Sequence, residues 1–305
     1  MSSEEFTAHR DLLVGVAYRL LGSVADAEDV VQDAWLRWSG VDQATVADPK
    51  AYLITVTTRL AIDRMRRVKA RREAYVGPWL PEPISTAPDV AEHVELADSV
   101  ELALLVVLET LSPLERAVFV LREAFGLPFD DIAGIIGREP AATRQLARRA
   151  RDHVQQRQPR FEVDRARRRE MTERFLAACG SGDLRALTEL LASDVRLVSD
   201  AGGKAKAPVR VIHGVDKVSR FLAAVSTDAA VRAFLAVDEP PASFTIEVTD
   251  VNGGPAVVAW VDGRPVAVIS LVVRDGLVDT VYLLVNPEKL AAMSHRWGPA
   301  ASEGA

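Results

Sequence analysis

Apolar positions recur at helical spacing through the first seventy or so residues. Leu12, Leu13, Val16, Ala17 and Leu20 fall three and four apart, and Gly22 follows as a stop. Ser23 is placed to cap a second helix running from Ala25 to Trp38. Asp48-Pro49 opens a third, with proline at the first helical position, where its missing N–H costs nothing. The pattern then breaks. In Gly77-Pro78-Trp79-Leu80-Pro81-Glu82-Pro83 the prolines fix φ and keep the residues before them out of the α region. This predicts an extended linker over 74–95, although Trp79 and Leu80 are unusual for a purely solvated one. Helices are expected again from near Val90 to about Arg157. Ser112-Pro113-Leu114-Glu115 supplies a cap, a proline and a capping-box glutamate in order. Gly126-Leu127-Pro128 and Gly137-Arg138-Glu139-Pro140 punctuate these helices, and Pro159 marks a further boundary.

Beyond Val163 the period changes. One or two helices are expected across 164–191, followed by short strands at 195–199, 209–212, 244–248, 256–261, 266–273 and 277–284. Asn252-Gly253, Asp262-Gly263 and Asp275-Gly276 are hairpin signals, because they tolerate positive φ. The expectation is a multidomain chain: two all-α domains, then an α+β domain with a curved antiparallel sheet.

Composition narrows the reading. The 305 residues carry a net charge of −6 and a single cysteine, Cys179, so no internal disulfide forms. No apolar leader opens the chain and no run reaches the roughly 18 apolar residues of a spanning helix, which points to a cytoplasmic protein with no membrane partner. Against an acidic total, the positive charge is concentrated. One stretch holds Arg59, Arg64, Arg66, Arg67, Lys69, Arg71 and Arg72, with Asp63 alone opposing it. A second holds Arg144, Arg148, Arg149 and Arg151. Concentrated basic helices bind phosphate backbones.

The second stretch has the form of a helix-turn-helix. A short helix over 128–136 ends at Gly137, and Glu139-Pro140-Ala141-Ala142-Thr143 starts the next. There Ala142, Leu146, Ala150 and Val154 form the expected buried stripe, with Arg144, Arg148 and Arg151 on the opposite face. Arginine pairs bidentately with guanine, and Thr143, Gln145 and Arg149 add candidate DNA contacts. In the first basic helix, Leu53, Val56, Leu60 and Met65 keep apolar spacing while Arg59, Asp63, Arg66 and Arg67 share a polar face. Upstream, Asp26, Glu28, Asp29, Gln32 and Asp33 make an acidic face that suits a basic partner protein and not DNA.

At this point the chain resembles a known family. Asp26 to Trp38, Asp48 to Leu53 and Leu60 to Arg67 are similar to region 2 of the extracytoplasmic-function sigma factors. Leu111 to Arg151 is similar to their region 4. The resemblance implies that Asp26, Glu28, Asp29, Gln32 and Asp33 dock on core RNA polymerase. It implies that Arg59, Asp63, Arg64, Arg66 and Arg67 engage the minus-ten promoter element and its opened non-template strand. It implies that Thr143 to Arg151 reads double-stranded DNA at the minus-thirty-five element. Arg59 stands where many such factors carry asparagine.

The remainder resembles the subgroup with a fused SnoaL-like domain, on three short motifs. These are Trp79-Leu80-Pro81-Glu82-Pro83, Asp200-Ala201-Gly202-Gly203-Lys204 (with Ala201 where the subgroup has glycine) and Asn286-Pro287-Glu288-Lys289-Leu290. The implied division is region 2 over 1–73, a linker over 74–95, region 4 over 96–160 and a cone-shaped SnoaL-like domain over 164–295 that regulates in cis. A proline-stiffened linker presenting Trp79 and Leu80 is a good ligand for a groove on that domain, and Lys204 is expected to pair with Glu82 or another acid. Some SnoaL-like proteins are cyclases or isomerases, for which Asp194, Asp200, His213 and Asp262 are the candidate acids and bases. Solvated turns and a satisfied histidine explain these four better than catalysis, so no enzyme, metal or cofactor is expected. Two alternatives stay open: a ligand-sensing helix-turn-helix regulator, and a cyclase-type enzyme fused to a DNA-binding module. A small-molecule ligand of the C-terminal domain also stays open.

Overall fold

A computed structural model describes residues 2–86, 101–157, 164–226 and 243–294. The helix restart expected near Val90, the boundary at Pro159 and the start of region 4 at 96–100 lie outside the described residues. The chain divides into two compact units: Met1–Tyr75 with Glu95–Pro159, and Val76–Val94 with Arg160–Ala305. The linker, which lies in sequence between two parts of the first unit, thus belongs to the second.

The first unit is helical among its described residues. Helices α1 (Ser2–Leu21), α2 (Val24–Ser39) and α3 (Pro49–Glu73) pack as a bundle. Ser23 caps α2 by accepting from the Asp26 amide, and Asp48 accepts from Ala51 at the start of α3. Leu13, Leu20, Trp38 and Leu53 fill the interior. Then follow α4 (Leu102–Leu108), α5 (Pro113–Phe119), a π-turn over Val120–Ala124, α6 (Phe129–Ile136) and α7 (Pro140–Arg157). The Ser112–Glu115 capping box forms at α5.

The second unit begins with an extended segment, Val76–Thr86, as the prolines require. Helices α8 (Arg165–Ser181) and α9 (Leu184–Leu190) lead into strands β1 (Leu191–Asp200) and β2 (Ile212–His213). Helix α10 (Val215–Val225) precedes β3 (Phe244–Val251), β4 (Gly254–Val261), β5 (Arg264–Arg274) and β6 (Leu277–Leu284). The chain continues into α11 (Pro287–Leu290). The sheet order is β2-β1-β6-β5-β4-β3. The three turn signals close β3–β4, β4–β5 and β5–β6 with positive φ at both central residues.

Two strand expectations need correction. The sheet is mixed, because β1 runs parallel to β6. The 209–212 strand shrinks to a two-residue pairing of Ile212 and His213 against β1. Register breaks occur in β1–β6, β4–β5 and β5–β6, where bulges bend the sheet around its apolar face.

Candidate functional site

Helix α6 ends at Gly137 in the left-handed region (φ 65°), which turns the chain directly into α7. The small Ala133 is buried where the two helices meet. The buried face of α7 is Thr143, Ala147, Ala150 and Val154, with Ala142 and Leu146 only half-buried. This rotates the expected stripe and moves Thr143 off the outer face. Its hydroxyl donates to the Glu139 carbonyl at 3.1 Å, which lets a polar residue sit in the interior. Arg144, Gln145, Arg148, Arg149 and Arg151 are exposed. Arg149 pairs with Glu115, Arg151 with Glu123, and Arg148 with Asp152. Burial works against the Glu115 charge, but hydrogen bonds from Ser112 and Arg149 outweigh it and hold the carboxyl below its ordinary range.

On α3, Asp63, Arg66 and Arg67 are exposed and pair among themselves. Arg59 donates through Nε to the Ile135 carbonyl and through Nη2 to the Gly134 carbonyl, both at 2.9 Å. Those carbonyls are the unsatisfied, negative end of α6, a favoured place for a cation. Arg64 turns back onto α2 and donates to Asp26 and Asp29 at 2.5–2.9 Å. The hydrogen bond to Asp26 raises its pKa further. Two residues expected at opposite sites, on DNA and on polymerase, therefore bind each other. Glu28 is half-buried, and Asp29, Gln32 and Asp33 are exposed around Leu36, itself 62% exposed.

Sequence reasoning missed a buried ionic cluster in this unit. Glu109 accepts from Arg72 of α3 and from Arg116 of α5. Arg116 also donates to the Arg19 carbonyl of α1 at 3.0 Å. Burial pulls the Arg116 guanidinium down to about 9, which leaves it charged at neutral pH. Arg19 lies over the Phe125 ring. An isolated glutamate after a leucine run gives no sign of this, because its partners come from two other helices.

In the second unit the three short motifs converge. Leu80 donates its amide to Asp200 Oδ2 at 2.7 Å. Lys289 Nζ donates to the Leu80 carbonyl at 2.5 Å and to the same Asp200 oxygen at 2.6 Å. Nζ also lies 3.9 Å from the centroid of the Trp79 ring. Asp200 is 0% exposed and Lys289 6%. The Asp200 carbonyl accepts from the amides of Val285 and Asn286, and Asn286 caps α11 by accepting from Glu288. Pro81 and Pro83 are buried and Glu82 is half-buried. Gly202 and Gly203 take positive φ in the turn that starts at Ala201. Lys204 pairs with Glu288, not with Glu82. Leu290 is buried beneath.

A second anchor lies further along the linker. Ile84 donates its amide to Asn252 Oδ1 and accepts from the Asn252 amide, Thr86 donates to the Asp250 carbonyl, and Gly253 donates to the Thr86 hydroxyl. Arg165 and Arg169 of α8 hold the Asp250 carboxylate. Asn252 read as a turn residue in the sequence, and its side chain also grips the linker.

The four candidate acids and bases do not meet. Asp194 is exposed and 3.7 Å from Arg274, Asp200 is buried in the clasp, His213 is exposed on β2, and Asp262 accepts from Ser243 at a turn. Among the described residues no group of three His, Cys, Asp or Glu side chains is placed to hold a metal, and no helix is long and apolar enough to cross a membrane.

Residues 6–72 match sigma-70 region 2 and residues 101–154 match sigma-70 region 4. Over 95% of its length the chain is 40% identical to the ECF RNA polymerase sigma factor SigJ of Mycobacterium tuberculosis, covering 93% of that protein. It is 35% identical to the probable ECF RNA polymerase sigma factor SigI of the same species, over 94% of each chain. The crystal structure of M. tuberculosis SigJ superposes with a TM-score of 0.75 at 38% identity, covering 95% of this chain and 99% of that one.

Proposed function

Because the chain belongs to the extracytoplasmic-function sigma factors of the sigma-70 family, we propose that its C-terminal domain regulates promoter-directed initiation in cis, by gripping the linker between regions 2 and 4. Sigma factors bind core RNA polymerase and promoter DNA, and are not enzymes. The domain division proposed is region 2 over 1–73, linker over 74–95, region 4 over 96–160 and regulatory domain over 164–295, in a protein working in the cytoplasm.

The observation that carries the proposal is the double hold on Leu80: its amide on a buried carboxylate and its carbonyl on a buried ammonium. Hydrogen bonds to charged groups are the strong ones, and here both are shielded from water. A linker held this way is no longer a free tether, so docking limits the separations open to regions 2 and 4.

The remaining roles follow from exposure and charge. Asp29, Gln32 and Asp33, with Glu28 and the apolar Leu36 beside them, are the core-polymerase face. Asp26 serves that face by locking Arg64. Arg66 and Arg67 with Asp63 face the minus-ten DNA and its non-template strand, where capture of unpaired bases makes strand separation cheaper. Arg59 joins them when its α6 carbonyls are released. Arg144, Gln145, Arg148, Arg149 and Arg151 face the minus-thirty-five duplex, with Thr143 supporting from beneath.

The test is run-off transcription with core polymerase on a promoter from the gene's own upstream region, using the full chain and Lys289→Met. Specific transcripts from the full chain are expected, with a different yield from the variant at equal core occupancy. The sign of that difference is the sign of the regulation. Equal yields would remove the cis role, and neither transcripts nor core binding would remove the initiation reading.

A further inference from the structure

One face of the sheet, with α8 and α10, lines a partly open cavity of about 120 Å³. Phe175 and Cys179 of α8, Leu222 of α10, and Ala259, Ala267 and Leu283 of the sheet contribute to its wall. The alanines keep it open: on adjacent strands, Ala259 and Ala267 pair directly and bring only methyl groups to the space. Ile246, 40% exposed, stands at its edge.

The wall excludes charged and strongly polar occupants. Among the described residues its polar side chains are Cys179 and Ser226. Burial pushes the Cys179 thiol up to about 12, so it is neutral and no nucleophile. The Ser226 hydroxyl already donates to the Leu222 carbonyl at 2.5 Å. An ion placed here would lose its hydration with no partner in return. A dry apolar cavity of comparable size, about 150 Å³, takes up benzene. None of Asp194, Asp200, His213 and Asp262 lines the space, so what the wall offers is binding without chemistry.

The cavity is also built into the linker clasp. Ala259, Ala267 and Leu283 pack in one cluster with Val285, against which Ala201 and Ala205 of the loop after Asp200 also pack. Val285 and its neighbour Asn286 donate to the Asp200 carbonyl. Residues alternate across the strand, so Leu283 faces the cavity and Leu284 the opposite side. A molecule pressing on Leu283 therefore acts at the end of the strand that leads into Asn286 and Lys289.

We propose that this cavity binds a small, uncharged, apolar molecule about the size of one aromatic ring, and that its occupancy alters the grip of Asp200 and Lys289 on Leu80. The proposal rests on the cis-regulatory reading of the clasp and adds the input to it.

The experiment titrates the full chain with benzene. It follows the Ala259 and Ala267 methyl resonances together with hydrogen exchange of the Leu80 amide. Saturable methyl shifts are expected, with Leu80 exchange changed by about fivefold or more, the lower end of ordinary allosteric coupling. Ala267→Leu fills the space and should abolish both effects. Ala259→Leu fills it from the neighbouring strand and serves if the first variant does not fold. Absence of saturable shifts in the wild type, or shifts that persist in a folded filled variant, would overturn the site. Saturation with unchanged Leu80 exchange would overturn the coupling. Neither result bears on the transcription assay with Lys289→Met, whose failure would leave benzene binding standing.

Discussion

Lys289→Met separates two roles of one ammonium. The substitution keeps an unbranched stem of similar length and removes the charge. Two hydrogen-bond acceptors then lose a donor, the Leu80 carbonyl at 2.5 Å and Asp200 Oδ2 at 2.6 Å, and the Trp79 ring loses its cation. The carbonyl bond is charge-assisted and buried, so its loss should cost the docked linker about 1.5–3 kcal/mol, or about 10- to 150-fold in the opening equilibrium. The second loss is larger and falls on the domain. A fully buried Asp200 without its counter-charge should destabilise the domain by about 3–5 kcal/mol. Hydrogen exchange at Leu80 reads the first effect, and exchange at the core amides of β5 and β6 reads the second. The paired change Asp200→Asn with Lys289→Met should recover part of the domain stability, because no charge is then stranded, while Leu80 stays loosely held. Leu80 exchange within about twofold of wild type in Lys289→Met would refute the claim that this bond holds the linker.

Three further outcomes are expected. Glu109→Gln leaves the buried Arg116 without its counter-charge and should lower the stability of the helical unit by about 3–5 kcal/mol by chemical denaturation, and an unchanged stability would refute the role of the cluster. Arg144→Ala, on the outer face of α7, should weaken binding to the minus-thirty-five duplex by about 1–3 kcal/mol and relax base preference at one position, whereas uniform weakening across sequences would reassign it to phosphate. Glu115 is held below its ordinary pKa, so the stability it adds is present above the unfolded value near 4.3 and is lost as pH falls through the folded value. Glu115→Gln should flatten the acid limb of a stability–pH curve for this unit, and an unchanged limb would refute the assignment.

Features set by neighbouring residues were legible in the sequence. Ser23, the Ser112–Glu115 box, Gly137 and the three hairpin turns are each decided within four residues, and each forms as the local chemistry requires. Features set by distant partners were not. Strand β1 runs parallel to β6, which lies some eighty residues on, and no alternation within either strand encodes that pairing. Thr143 looked like an outward residue because it is polar, yet a backbone carbonyl one turn back satisfies its hydroxyl and Thr143, not Ala142, turns inward. The Glu109 cluster was invisible for the same reason: whether a charge is buried depends on what arrives from other helices. The clasp lay between these cases. Its three motifs stood out in the sequence, but the pairing within them was only partly legible: Lys204 was expected to meet Glu82 or another acid, and its partner is Glu288.

The clasp reads backbone, and this explains why its target is proline-rich. Asp200 and Lys289 engage the amide and carbonyl of a single residue, groups that every non-proline residue carries. Such a grip alone would slip along any extended chain. Proline at 81 removes the amide that a one-residue slip would offer to Asp200, and proline at 78 confines the approach from the other side. Trp79 then sets the register by lying against Lys289, while the Leu80 side chain is buried to 1% exposure. A hydrophobic pair in place of Asp200 and Lys289 would match the ion pair's own net contribution to stability, since buried ion pairs seldom add any, but it would leave the Leu80 amide and carbonyl buried without partners. What the charged pair adds is a demand for one extended residue in one register, so the linker is either docked at Leu80 or not docked. A binary hold of that kind, with an apolar cavity packed against its base, is what a switch between two states of the linker requires.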